Sequence, residues 1–166
     1  LNYYSFGFYG GLISESNRLE PILGLDGLVR LSQKYGLAGV EIPFDRFYGL
    51  TEIERGLEDI KKIHMQGLSV FIDLENTDIK YISHLVPKLP SLGIKTIRIK
   101  MDQIGPTIFG GNRYLSDTFE AAVDQFKKKL IALMPVLEKF GVSVAIENHQ
   151  DFHSLELLDI AKKMNP

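Results

Sequence analysis

Short β-rich runs alternate with stretches of helical periodicity along this chain of 166 residues, and this alternation limits its possible folds more than any other feature. Strands that alternate with helices at this spacing form βαβ units and a parallel sheet. The predicted strands are residues 3–9, 39–44, 69–74, 96–101 and 142–148. The predicted helices are residues 22–35, 51–67, 77–92, 118–140 and 155–164. Since no interdomain linker interrupts the pattern, the sequence predicts one α/β domain over residues 1–166.

Local signals mark the ends of two of these helices. Thr51 with Glu54 three residues later predicts a capping box at the start of one helix, and Gly67 predicts its end. Ser154 is the predicted N-cap of the last helix.

Composition excludes several classes of protein. The chain has no cysteine, so any metal site must use His, Asp or Glu, and the lack of cysteine favours a cytoplasmic protein. Its first residues lack the features of a secretory signal, and no apolar run is long enough to span a membrane. A net charge of -2 provides no field that would attract nucleic acid. We therefore expect neither nucleic acid nor a membrane as a partner.

Alternate residues of each predicted strand differ in polarity. In the fourth strand, Ile97 and Ile99 lie on one face, while Arg98 and Lys100 lie on the other. In an open doubly wound sheet, helices cover both faces and both are apolar. In a (β/α)₈ barrel, one face lines the interior, and functional sites form at its C-terminal mouth. The side chains expected at this mouth are Glu41, Asp73, Arg98, Lys100, Glu147 and His149.

The pattern therefore favours a TIM-barrel type of fold, but only about five of the eight βα units are present. Three explanations remain open: the chain is a partial barrel cut from a longer protein, two copies pair into a homo-oligomer, or the sheet is not a barrel. An open piece would leave edge strands that invite association.

Two segments carry a family resemblance. The second strand reads GVEIPF (39–44), and the fifth strand runs into a polar segment as VSVAIENHQDFHS (142–154). Both resemble the xylose isomerase-like barrel superfamily, which includes isomerases and epimerases of sugars and sugar phosphates. The resemblance implies that Glu147 is catalytic and ligates a divalent metal, Mn²⁺, Mg²⁺ or Co²⁺, which stabilises an enediolate intermediate. The family's other three ligands come from strands six to eight, and we expect these to lie beyond residue 166.

The implied substrate is a sugar or sugar phosphate, and four side chains are predicted to contact it: Glu41, Lys100, Asn148 and His149. Plainer interpretations stay open. Glu147 could cap a helix or pair with Lys100, His149 could face solvent, and Glu41 could form a structural ion pair with Arg98 or Lys100.

Two alternative functions remain. The chain could be an inactive or fragmentary barrel that serves as a binding or structural module. An apurinic endonuclease of similar fold is disfavoured, because that family is expected to place His at the tips of strands three and four. Those tips read Asp73-Leu74-Glu75 and Lys100-Met101-Asp102.

Overall fold

The computed structural model has four strands that alternate with helices. It describes residues 1–6, 23–75, 78–101, 119–148 and 152–164. The strands are β1 (Gly39–Pro43), β2 (Ser69–Leu74), β3 (Thr96–Lys100) and β4 (Ser143–Glu147). The α-helices are α1 (Gly24–Lys34), α2 (Phe44–Phe47), α3 (Ile53–Met65), α4 (Ile79–Leu85), α5 (Phe119–Phe140) and α6 (Ser154–Met164). The predicted α/β class is confirmed.

The chain forms two compact units, an N-terminal unit (Leu1–Asp73) and a C-terminal unit (Leu74–Pro166). The arrangement as a partial TIM barrel and the single domain over residues 1–166 stay predictions. Among the described residues, no helix combines the length and the apolar character that crossing a bilayer requires.

In the N-terminal unit, β1 and β2 pair in parallel, with Gly39 opposite Ser69 and Pro43 opposite Asp73. The core of this unit includes Ile42, Ile60 and Ile72, which are fully buried. α3 ends where Gly67 takes a positive φ of 79°, as predicted.

The first predicted strand is wrong over the described residues 3–6. Tyr3–Phe6 forms a 3₁₀-helix, and the rest of the predicted strand lies outside the described residues. The parallel pairing with β1 instead comes from Asn2, which bridges Glu41, while the Glu41 N–H donates to the Leu1 carbonyl. The Tyr3 side chain is buried and meets the Phe47 ring edge-on at 4.9 Å. Tyr3, one of the aromatic residues that suggested a strand, therefore packs a 3₁₀ turn into the core.

The capping box predicted at Thr51 and Glu54 is also wrong. The reciprocal bonds lie two residues earlier: the Gly49 N–H donates to the Glu52 carboxylate at 3.2 Å, and the Glu52 N–H donates to the Gly49 carbonyl at 2.9 Å. A 3₁₀ turn over Leu50–Glu52 then leads directly into α3. Because this turn already engages the first backbone donors, the Thr51 hydroxyl is not needed as a cap.

In the C-terminal unit, β3 and β4 pair in parallel, with Lys100 opposite Glu147. The helix predicted over 77–92 divides into α4 and a 3₁₀-helix, Val86–Leu92, which contains Pro87 and Pro90. Proline lacks the N–H that an α-helix requires, which accounts for the change.

α5 presents one buried face to the unit. Its buried residues follow helical spacing, and they are Phe119, Phe126, Leu130, Leu133 and Leu137.

The N-cap of α6 is His153 rather than the predicted Ser154. The His153 carbonyl accepts the first helical bond, from the Leu157 N–H at 3.1 Å. The Glu156 carboxylate accepts the His153 N–H at 2.8 Å, which is half of a capping box. Ser154 is therefore the first helical residue.

Candidate functional site

Charged side chains gather at the C-terminal edge of the β3–β4 pair. Ile97 and Ile99 are fully buried on one face of β3, whereas Arg98 and Lys100 are half-buried on the other, so the predicted alternation is confirmed for this strand. Glu147 lies opposite Lys100 in the register of the pair. Since paired residues of parallel strands share a face, Arg98, Lys100 and Glu147 lie on the same face at the edge where parallel sheets build binding sites.

Arg98 and Glu147 form an ion pair at this edge. The Arg98 Nε atom lies 3.5 Å from Glu147 Oε2, and the two side chains are 19% and 26% exposed. This partial burial strengthens their attraction relative to a pair in open water. The plainer interpretation left Glu147 as a helix cap or as a partner of Lys100, and the structure gives it an ion pair with Arg98. Arg98, Lys100 and Glu147 therefore provide charged groups of both signs on one face of β3 and β4.

Asn148 directly follows Glu147 and ties the end of β4 to the start of α6. Its Nδ2 donates to the Phe152 carbonyl at 2.9 Å, and its Oδ1 accepts the Phe152 N–H at 3.1 Å. The buried Phe152 ring stacks on Phe126 at 6.1 Å between centroids. Asn148 thus joins the end of β4 to the residues that lead into α6, and its predicted contact with substrate stays a prediction. His149, the next predicted contact, lies outside the described residues.

Replacing Asn148 with alanine is expected to lower the free energy of unfolding by about 1–3 kcal/mol, because two hydrogen bonds to the Phe152 backbone are lost. Urea denaturation measures the change. Ser91→Ala is a matched control, since it removes one exposed bond, from the Ser91 hydroxyl to the Lys88 carbonyl, and should cost much less. Equal losses in the free energy of unfolding for both variants would mean that the Asn148 hydrogen bonds do not stabilise the connection between β4 and α6.

Glu41 lies on β1 in the N-terminal unit. Its side chain accepts a hydrogen bond from Asn2 Nδ2 at 2.7 Å, and the residue is half-buried. Asp73, at the end of β2, is fully buried. The geometry gives Glu41 a structural contact within its own unit, and its predicted role as a substrate contact stays a prediction.

A cleft of about 590 Å³ in the N-terminal unit was not predicted from the sequence. It lies beside α1 and α3, and its wall includes Tyr48, Asp59 and Lys62. The Tyr48 hydroxyl donates to Asp59 Oδ2 at 3.0 Å, and Lys62 Nζ donates to Asp59 Oδ1 at 2.8 Å. The spacing of Asp59 and Lys62 on one helix face was the available signal, but nothing in the sequence placed Tyr48 beside them.

The hydrogen bonds of Asp59 with Tyr48 and Lys62 should make the free energy of unfolding depend on pH. Burial alone would raise the pKa of Asp59, but hydrogen bonds from Lys62 and Tyr48 outweigh it and hold the pKa below its usual value of 3.8. The folded state therefore binds this proton less readily than the unfolded state. The stability that Asp59 contributes is therefore fully present above the pKa of its carboxyl in the unfolded state. It is lost as the pH falls through the lower pKa of the folded state.

Asp59→Asn is expected to cost about 1 kcal/mol at neutral pH, because the charged acceptor of two hydrogen bonds is lost. The difference from the wild type should shrink below about pH 4. Denaturation at neutral and acidic pH checks this. Glu58→Gln, which alters an exposed pair with Lys61, is the control and should show a smaller pH-dependent difference. A difference for Asp59→Asn that stays constant across this range would contradict the linkage.

The described residues do not by themselves complete a metal site. Glu147, the predicted ligand, is held by Arg98. Within the described ranges, no three His, Cys, Asp or Glu side chains lie close enough together to hold a metal ion. The described residues therefore provide one candidate carboxylate rather than a ligand set.

Neither the protein-family models nor the curated proteins give a match to this chain. The functional interpretation therefore rests on the charged edge of β3 and β4 and on the residues that carry the family resemblance.

Proposed function

We propose that this chain forms part of the active site of a divalent-metal-dependent isomerase or epimerase that acts on a sugar or sugar phosphate through an enediolate. The observation that carries the proposal is the position of Arg98, Lys100 and Glu147 on one face at the C-terminal edge of β3 and β4. A cytoplasmic location, which the absence of cysteine favours, belongs to the same proposal.

The charge at this edge supports a phosphorylated substrate. Arg98 offers a planar guanidinium, which matches the geometry of a phosphate, and Lys100 adds a second cation. Only one carboxylate, that of Glu147, opposes them on these two strands. We therefore propose that sugar phosphates bind more tightly than the corresponding free sugars.

In this proposal Glu147 places a negative oxygen beside the reacting carbons. Isomerisation removes a proton next to a carbonyl and returns it to the neighbouring carbon, whereas epimerisation returns it to the opposite face. A bound metal ion would stabilise the negative charge of the enediolate. Arg98 positions the Glu147 carboxylate through the ion pair of its Nε atom, and Arg98 and Lys100 together bind the anionic group of the substrate.

A non-catalytic binding module is the second candidate. Its support is that the described residues contain no complete set of metal ligands. Such a module would still use Arg98 and Lys100 to hold a sugar phosphate.

Exchange of substrate protons with solvent separates these candidates. The complete protein that contains this chain is incubated in D₂O with Mn²⁺, Mg²⁺ or Co²⁺ and a panel of aldoses, ketoses and their phosphates, and NMR follows the proton on the carbon next to the carbonyl. The proposal predicts metal-dependent exchange that is faster for a phosphate than for its parent sugar and is stopped by EDTA. Binding without exchange would favour the module, and neither binding nor exchange would contradict both candidates.

A further inference from the structure

The cleft of about 590 Å³ in the N-terminal unit has an apolar floor. Val29 of α1, Ile63 of α3 and the intervening Tyr48 line it, and each of these residues is at most 5% exposed. Ligand sites in proteins commonly have volumes of about 300–1,000 Å³ and combine apolar walls with a few polar groups. The lining residues all belong to the N-terminal unit, so the cleft forms without any contribution from the C-terminal unit.

Two of the four charged side chains among the described residues of this cleft already neutralise each other. The Asp59 carboxylate accepts hydrogen bonds from Tyr48 and Lys62, at 3.0 and 2.8 Å. The Gln66 amide is engaged as well, because it donates to the Lys62 carbonyl at 3.2 Å and accepts from Gln33 Nε2 at 2.9 Å. These bonds fix the wall that α3 contributes.

The other two charged residues of the cleft are Asp26 and Arg30, which lie one turn apart on α1. Opposite charges at this spacing can pair, yet within the described residues neither side chain takes part in an ion pair or a hydrogen bond. The charge of Asp26 acts across the cleft. Burial and the hydrogen bond with Asp59 raise the pKa of the Tyr48 hydroxyl most, and Asp26 raises it further. The wall that α1 contributes therefore offers a ligand one carboxylate and one guanidinium.

We propose that this cleft binds a free amino acid with an aliphatic side chain between Asp26 and Arg30. The ammonium group of the amino acid donates to Asp26, and its carboxylate accepts two parallel hydrogen bonds from the Arg30 guanidinium. An amino acid carries both groups on one carbon, which suits two side chains whose Cβ atoms lie about 5–6 Å apart on one helix face. Its aliphatic side chain covers the floor at Val29 and Ile63. The inference does not depend on the proposed enzymatic function, whose charged residues lie in the other unit.

Methyl NMR of the complete protein that contains this chain tests the site with three probes of related shape. They are leucine, 4-methylpentanoate, which lacks the ammonium group, and 3-methylbutylamine, which lacks the carboxylate. We expect leucine to shift the Val29 and Ile63 methyl signals in a saturable way. Each of the other two compounds should bind at least about tenfold more weakly, because it loses one charge-assisted contact.

Substitution of each charged residue gives a second readout. Asp26→Asn and Arg30→Gln should each raise the dissociation constant of leucine at least about tenfold. Lys34→Gln is the matched control, since it neutralises another exposed cation of α1 that does not line the cleft, and it should leave leucine binding unchanged. The melting temperature of each variant, measured in parallel, shows that it is folded.

Three results would overturn the proposal. The first is that millimolar leucine leaves the Val29 and Ile63 signals unchanged in the folded protein. The second is that the three compounds bind equally well, because the two charges would then not recognise the ligand. The third is that Asp26→Asn and Arg30→Gln bind leucine as tightly as the wild type does.

Discussion

Replacing Gly56 with alanine is expected to destabilise the protein by about 1–3 kcal/mol, although alanine is the better helix former. Gly56 is buried in α3, where an added Cβ would lie 2.5 Å from Phe44 Cζ and 2.7 Å from Tyr48 Cδ2. The Phe44 and Tyr48 rings are themselves buried and in contact, with centroids 4.9 Å apart. Two packed rings cannot both withdraw, so the clash should exceed the gain of up to about 1 kcal/mol in helix propensity.

Gly27→Ala is the matched control for this prediction. Gly27 is likewise buried within a helix, but its added Cβ would meet the end of the Leu23 side chain, with Cδ1 at 3.0 Å. A leucine side chain can rotate away, so this substitution should be neutral or should stabilise by up to about 1 kcal/mol. Urea denaturation of both variants measures the difference. Equal effects of the two substitutions would mean that the contacts of Gly56 with the two rings do not constrain α3.

In the complete protein, Glu147→Gln is expected to reduce metal-dependent turnover at least about 100-fold while the fold stays intact. The amide keeps the size of the side chain but removes the negative charge that the reaction is proposed to need. Loss of the ion pair with Arg98 should cost no more than about 1 kcal/mol, since both groups retain contact with solvent. Turnover per folded molecule, with the melting temperature measured in parallel, separates the two effects.

Glu138→Gln is the control for Glu147→Gln. Glu138 is an exposed carboxylate on α5 in the same unit, so its neutralisation should leave turnover unchanged. Turnover of Glu147→Gln equal to that of the wild type would remove Glu147 from the mechanism.

The regular parts of the fold were predictable because they follow local periodicity. Residues 69–74 were predicted as a strand and form β2 with the same limits. The alternation of buried and polar residues along β3 was predicted from its period of two. The segment over 3–6 was not predictable in this way, because Tyr3 is fixed by Phe47, a residue far along the chain.

Helix ends depended on details that local patterns describe poorly. At Gly49 and at His153, backbone groups and a following glutamate provide the cap, so a nearby hydroxyl residue in the sequence was misleading. The division of the predicted helix over 77–92 could have been predicted more easily, because Pro87 and Pro90 stand within that segment of the sequence.

The candidate site was predictable in its residue types and strand positions, but not in its contacts. Strand parity put Arg98, Lys100 and Glu147 at one edge, and the register of β3 and β4 agrees. The ion pair of Glu147 with Arg98 depends on side-chain geometry that a sequence pattern does not contain. The same is true of the two bonds between Asn148 and Phe152.

The most direct test of the central claim is to follow the Arg98 side chain while a ligand is added. The ¹H–¹⁵N NMR signal of Arg98 Nε, assigned with an Arg98→Lys variant, is recorded during titration with an aldose phosphate and then with the parent aldose. A saturable shift with the phosphate, and a weaker response to the free sugar, is the result predicted for a sugar-phosphate site at the edge of β3 and β4. An Arg98 signal that millimolar concentrations of either compound leave unchanged, in a folded protein, would contradict the claim.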